Sequence, residues 1–324
     1  MRRIFPLLLI LLLLCGCGGN RDAAAPEDAD RLVIFTARSA AVYDDAVREF
    51  ERRTGIWVEV HTADGALPLL EQIAAGQRCD LLLGVTPDCL SACGELFAPY
   101  APEAAADIPG AYRDSEDRWT PFSLLSVVLI YNDQLVQRNV PDSWSSLTSS
   151  AWRGRIACPD PTVSATGCTA LEAMTQALDG EAEQVLADFV RCVGDVLPTA
   201  EDVVTAVADG RCYVGVTTED LAMQAAASGL SVTVIYPREG SVVQPDCAAI
   251  IADCAHEDNA RAFIDFLLSG EVQDRLTRQY RRTVFTPPGD ASLPHALAYD
   301  PYAAGAHQAE TLDIWSSLTA EETP

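Results

Sequence analysis

The stretch Cys158-Pro-Asp-Pro-Thr-Val-Ser-Ala-Thr-Gly-Cys168 decides how this chain is read. A β-type run, Arg155 to Ala157, enters a proline-broken turn, and Ser164, Thr166 and Gly167 then open a helical run, Cys168 to Leu178. The first turn of a helix carries backbone N–H groups without intrahelical partners, and its aligned peptide dipoles make that end partly positive. It is a ready anion site. Hydroxyls of Thr162, Ser164 and Thr166 can add donors, and Gly167 lets a ligand approach the backbone closely. An ordinary N-cap has the same composition, because Ser and Thr are preferred there whether or not anything binds. On sequence alone both readings stand.

Outward from this stretch, strands and helices alternate. The β run Leu32 to Thr36 is followed by a helical run with Tyr43, Ala46, Val47 and Phe50 on one face, ended by Gly55. Ile56 to His61 alternates as a second strand, Leu67 to Ala75 is a helix stopping at Gly76, and Asp80 to Gly84 is a third strand. The apolar run Pro121 to Tyr131 leads to the second half of the chain, with helices predicted at Cys168 to Leu178, Glu181 to Val193 and after Thr199, the last with Val203, Val204 and Val207 inward. Strands are expected at Cys212 to Val216, Ser231 to Tyr236, Val242 to Cys247 and Ala248 to Ala252. Closing helices follow His256, span Glu271 to Tyr280 and span Gln308 to Leu318. This order predicts an α/β fold with a parallel sheet covered by helices and ligands near the carboxyl ends of the strands.

Met1-Arg-Arg followed by the apolar run Ile4 to Leu14 has the form of a secretory signal and is too short to span a bilayer. The signal ends Leu14-Cys-Gly-Cys17, which resembles a bacterial lipobox. That resemblance implies cleavage after Gly16, lipid on Cys17 and anchoring outside the cytoplasmic membrane, with Gly18 to Asp30 as a flexible tether. The formal net charge is −25, and loss of residues 1–16 removes two arginines and no acid. So acidic a surface argues against nucleic acid, which needs clustered Lys and Arg. A small anion is still compatible, since a helix N-terminus acts locally.

Of eleven cysteines, nine remain beyond Cys15 and Cys17. An oxidising compartment favours pairing, with at least one cysteine left over, and close pairs such as Cys158 with Cys168 and Cys247 with Cys254 are expected. A zinc site is disfavoured, because no CxxC pair occurs and His61, His256, His295 and His307 are scattered.

The strand ends gather polar residues. Arg38 and Ser39 follow the first strand, Thr86 follows the third, and Thr217-Thr-Glu-Asp220 follows Val216. Arg38 can neutralise an anion, while Ser39, Thr86 and Thr218 have the alternative role of helix cap or turn. Glu219 can cap a helix or face a ligand amine or metal.

The lipobox, Leu32 to Ser39, Asp80-Leu-Leu-Leu-Gly84, Asp160-Pro-Thr-Val-Ser-Ala-Thr-Gly167, and Tyr236-Pro-Arg-Glu-Gly240 followed by Ala262-Phe-Ile-Asp-Phe-Leu-Leu-Ser269 together resemble the ferric-ion and phosphonate branch of extracellular solute-binding proteins of ABC importers. The resemblance covers nearly the whole mature chain. It implies a two-lobed, type II periplasmic-binding-protein-like fold with two hinge-crossing strands: lobe one at 31–120 plus 243–324, lobe two at 121–242. It also implies a monomer delivering ligand to a permease and ATPase. Ser164, Ala165, Thr166 and Gly167 would form one cleft wall, completed by Thr217 and Thr218, and Arg38, Ser39 and Thr86 the other. Glu219 or Asp246 would receive a ligand amino group.

Ferric members of that branch resemble one another in a tyrosine pair where this chain has Thr217 and Thr218. Threonine hydroxyls are poor replacements for phenolate on a hard trivalent cation. The favoured ligand is therefore a small anion such as a phosphonate or phosphate ester, with ferric iron as the alternative. No resident cofactor is expected. A lipoprotein hydrolase is disfavoured by the lack of a GxSxG elbow or an HExxH helix. A ligand-sensing lipoprotein is a further possibility, which neighbouring permease and ATPase genes would argue against.

Overall fold

The computed structural model describes residues 28–63, 65–290 and 295–322. The expected signal peptide, lipidated Cys17 and most of the tether lie outside these residues. Chain order runs β1 (Arg31–Thr36), α1 (Ala40–Thr54), β2 (Trp57–Thr62), α2 (Ala66–Ala74), β3 (Leu81–Val85), the short α3 (Pro87–Ser91) and β4 (Phe97–Ala98). The long β5 (Thr120–Tyr131) leads to α4 (Trp144–Leu147), β6 (Ile156–Pro159), α5 (Ala165–Ala177), α6 (Ala182–Val190), β7 (Val193–Leu197), α7 (Ala200–Ala208), β8 (Val214–Thr218), α8 (Glu219–Ala227) and β9 (Thr233–Ile235). Then β10 (Val243–Ile251) returns, followed by α9 (Glu257–Leu267), α10 (Gly270–Arg278), β11 (Arg282–Thr283) and α11 (Pro301–Glu322).

The strands run in the order β2-β1-β3-β10-β5-β8-β6-β7. Within each lobe the βαβ units are parallel, as alternation predicts, with β1 between β2 and β3, and β6 between β7 and β8. The two crossing strands are antiparallel to their neighbours, so the sheet is mixed. β5 changes partner halfway along: Pro121 to Ser126 pair with β10, and Val127 to Tyr131 pair with β8. One twelve-residue strand, buried along nearly its whole length, thus belongs to both lobes.

Apolar periodicity accounts for the lobe cores. Tyr43, Val47 and Phe50 of α1 pack with Leu32, Ile34 and Phe263 in the first lobe, and Gly55 closes α1 at φ 78°. In the second lobe the Thr199 hydroxyl accepts from the Asp202 amide, and Val203, Val204 and Val207 are buried.

Three expectations change. Helix Glu181 to Val193 stops at Val190, because the tail becomes β7, an edge strand whose mixed, partly exposed residues hide its period. All nine described cysteines are free thiols. The Cys168 thiol donates to the Pro161 carbonyl at 2.9 Å instead of joining Cys158, and Cys247 is fully buried within β10 while Cys254 lies beyond its end. Finally, α11 begins at Pro301 and packs on α3 of the first lobe and on α5 and α6 of the second. Its Trp315, 2% exposed, lies 6.5 Å from Phe189 in the second lobe's core. The C-terminal segment therefore serves both lobes, where lobe one alone was expected to hold it.

Truncating a buried aromatic costs about 3–5 kcal/mol. Trp315→Ala is expected to destabilise the chain by about 3 kcal/mol in urea unfolding despite its position near the C-terminus.

Candidate functional site: the interlobe cleft

Three strand-to-helix turns from each lobe meet around a cavity of about 120 Å³. From the first lobe come Ser39 before α1, Gly65 before α2 and Thr86 before α3. The second contributes Ser164 before α5, Thr199 before α7 and Thr218 before α8. Each turn places a helix N-terminus at the cavity, so six positive dipole ends converge there.

The capping pattern at these turns separates two roles. Thr199 uses its hydroxyl as a cap, as do Ser143 and Ser149 elsewhere. Ser39, Thr86, Ser164 and Thr218 do not cap their helices. The Thr218 hydroxyl donates to Asp220 at 2.5 Å. The hydroxyls of Ser39, Ser164 and Thr166 line the cavity, and no hydrogen bond engages them among the described residues. Thr166 is only 7% exposed. A hydroxyl that lines a cavity without a protein partner keeps its hydrogen-bonding capacity for whatever occupies that cavity.

Behind the hydroxyls lies a charged layer. Arg38 donates to Asp246 at 2.9 Å, and its Nε is buried without a partner among the described residues. Burial opposes the charge on Arg38, but the Asp246 carboxylate, with Asp220 and Glu201 beyond it, more than offsets this and holds its pKa above the usual value. Gly84, at φ 76°, makes room for the arginine: a Cβ there would stand 2.4 Å from the Arg38 Cγ. Arg281, 3% exposed, donates to Asp246, to Asp220 at 3.3 Å and to Ser123. Nothing in local sequence marked Arg281, because its partners lie 35 and 61 residues away.

The sequence-derived site is thus partly assembled. Arg38, Ser39, Thr86, Ser164, Ala165, Thr166 and Thr218 line the cavity. Thr217 does not, since it is fully buried and donates to the Ala200 carbonyl at 3.1 Å. Gly167 is a packing residue: a Cβ there would meet the Pro159 oxygen at 2.7 Å and Pro161 at 2.8 Å. Glu219 is bound by Arg282 through two bonds of 2.6 Å and by the Tyr236 hydroxyl, whose pKa burial and this carboxylate push up to about 12. Asp246 is saturated by two arginines. Neither acid is free to take a ligand amine, because each already neutralises guanidinium. Glu201 is exposed beside the cavity, and its place in a capping sequence gives it no separate signal.

A family model for bacterial extracellular solute-binding proteins matches residues 94–302. The chain belongs to this family. A probable ABC transporter periplasmic-binding protein of Sinorhizobium fredii is 25% identical over 291 residues, 86% of this chain and 79% of that relative. The periplasmic binding protein AfuA of Actinobacillus pleuropneumoniae, solved with fructose-6-phosphate bound, superposes with a TM-score of 0.82 at 19% identity over 90% of this chain and 98% of its own. Iron-bound HitA of Pseudomonas aeruginosa gives 0.76 at 22% identity over 89% and 99%. Such likeness shows the two-lobed fold. The protein is an extracytoplasmic solute-binding protein, and the solutes of these two neighbours differ in kind.

The lobes touch at the cavity mouth. A Cβ on Gly65, at φ 104°, would stand 2.3 Å from the Val163 carbonyl oxygen across the cleft. Gly65→Ala is expected to prop the lobes apart and weaken solute binding about tenfold or more, as read by calorimetry, with the secondary structure unchanged in circular dichroism.

Proposed function

We propose that this chain captures a small anionic solute, a phosphonate or phosphate ester, between its lobes and delivers it to the permease of an ABC importer. The observation that carries this reading is the set of hydroxyls, Ser39, Ser164 and Thr166, that have no partner among the described residues and stand at helix N-termini beside Arg38. Oxygens of the solute take the amides and hydroxyls of residues 164–166 from one lobe, and Ser39 with Arg38 from the other. Closure is favoured only as far as the solute contacts both lobes. The lobe limits are 31–120 with 243–324, and 121–242, joined by β5 and β10, with the C-terminal segment fastened to both. Lipid on Cys17 tethers the mature chain to the membrane, and it acts as a monomer without enzymatic turnover.

Ferric iron is the second reading, supported by iron-bound neighbours of the same fold. Two observations weigh against it: Thr217 is spent on the backbone, and among the described residues no three His, Cys, Asp or Glu side chains are grouped to hold a metal ion.

Isothermal titration of the soluble chain with 2-aminoethylphosphonate, phosphate esters and ferric citrate separates the two. Binding of a phosphorus anion is expected; binding of iron alone would overturn the assignment. A hydrogen bond to a charged group is worth about 1.5–3 kcal/mol. Replacing Ser164 and Thr166 together by Ala is therefore expected to weaken binding at least about tenfold without lowering the melting temperature.

A further inference from the structure

We propose that closure of the lobes takes up a proton at a carboxylate cluster shared by α3, α5 and the C-terminal segment, so that the clamp closes more readily in acid than in alkali. A second cavity, about 530 Å³, lies where α11 crosses from one lobe to the other. Asp88 enters it from the first lobe, Glu172 from the second, and Asp300 and Glu310 from the C-terminal segment. No arginine or lysine is among the described residues that line it.

The segment is fixed to both sides. Gly305 packs on the Asp88 backbone, where a Cβ would stand 2.9 Å from the carbonyl oxygen. On the other side Gln176 donates to the Ala298 carbonyl at 2.7 Å, and Gln308 donates to the Cys168 sulfur at 3.3 Å. Asp88 is 5% exposed, and among the described residues its carboxylate accepts a single hydrogen bond, from the Tyr299 hydroxyl at 3.2 Å. Glu172 has none. Closing the lobes therefore sets two poorly solvated carboxylates from opposite halves around one cavity with no fixed cation between them.

The surroundings of Glu172 set the direction. Its own helix offers the Cys168 thiol, α3 offers Asp88, the C-terminal segment offers Tyr299, Asp300, His307 and Glu310, and α6 contributes only Ala182. Burial first, then Asp88 and Asp300, push Glu172 up to about 7. Opening separates Asp88 from Glu172 and readmits water, returning Glu172 toward the ordinary value of about 4.3. The closed form keeps a proton that the open form releases. Its advantage is full below the ordinary value and is lost as pH rises through about 7.

This does not depend on the identity of the solute, so the test uses the solute-free mature chain. Small-angle scattering at pH 5.5 and pH 8 reads the separation of the lobes. The ratio of open to closed chains is expected to rise by up to about tenfold per pH unit across this window, and the radius of gyration to rise with it. Glu172→Gln is expected to stay compact at both pH values. Asp300→Asn, on the exposed segment, is expected to move the transition to lower pH, because removing a neighbouring negative charge lowers the Glu172 pKa, whereas His307→Gln is expected to keep the wild-type response. A wild-type radius unchanged between the two pH values would overturn the proposal. So would a Glu172→Gln chain that expands like the wild type, or loss of the response in His307→Gln.

Discussion

Arg281 is the constraint on which the cleft depends. Its guanidinium, almost wholly removed from water, is shared by Asp246 on a crossing strand and Asp220 at the head of a second-lobe helix, with Ser123 filling a further donor. A buried charge is tolerated only with its partners in place, and removing one partner from such a set leaves another charge unpaired. Arg38 extends the set from the first lobe by taking the other oxygen of Asp246. Two arginines and two aspartates balance in charge, so the floor of the cleft is strongly polar without a large net field.

That balance explains why the cavity can use dipoles and hydroxyls instead of free cations. Backbone amides at a helix head cannot be titrated or screened away by neighbouring side chains, and they are held in place by the fold itself. Arg38 contributes direction as well as charge, because Gly84 leaves the space in which its side chain lies. The same economy removes Glu219 from the site: paired with Arg282 and Tyr236, it joins the lobes beside the hinge.

The C-terminal segment adds a third link between lobes already connected by β5 and β10. Trp315 anchors it in one core, Tyr302 reaches Asp114 and Arg118 of the other lobe, and carboxylates collect where it crosses. Any relative motion of the lobes has to be accommodated along this segment.

Much of the architecture is legible in local pattern. Tyr43, Ala46, Val47 and Phe50 recur at helical spacing, and Thr199 precedes a helix with a buried valine stripe, because amphipathic burial and capping act over a few residues. The helix head at Ser164 was equally readable. β7 was not, since its exposed Val196 and half-buried Asp195 leave the edge strand without hydrophobic alternation, and neither were Arg281 and the double role of α11. Sequence alone determined the alternation of elements, the acidic balance and the hydroxyl-rich helix heads, all consequences of near neighbours. Which hydroxyls stay unpaired, which acids are spent on arginine and which residues meet between the lobes was decided only in the tertiary structure, because buried ion pairs and cavity walls join residues far apart in the chain.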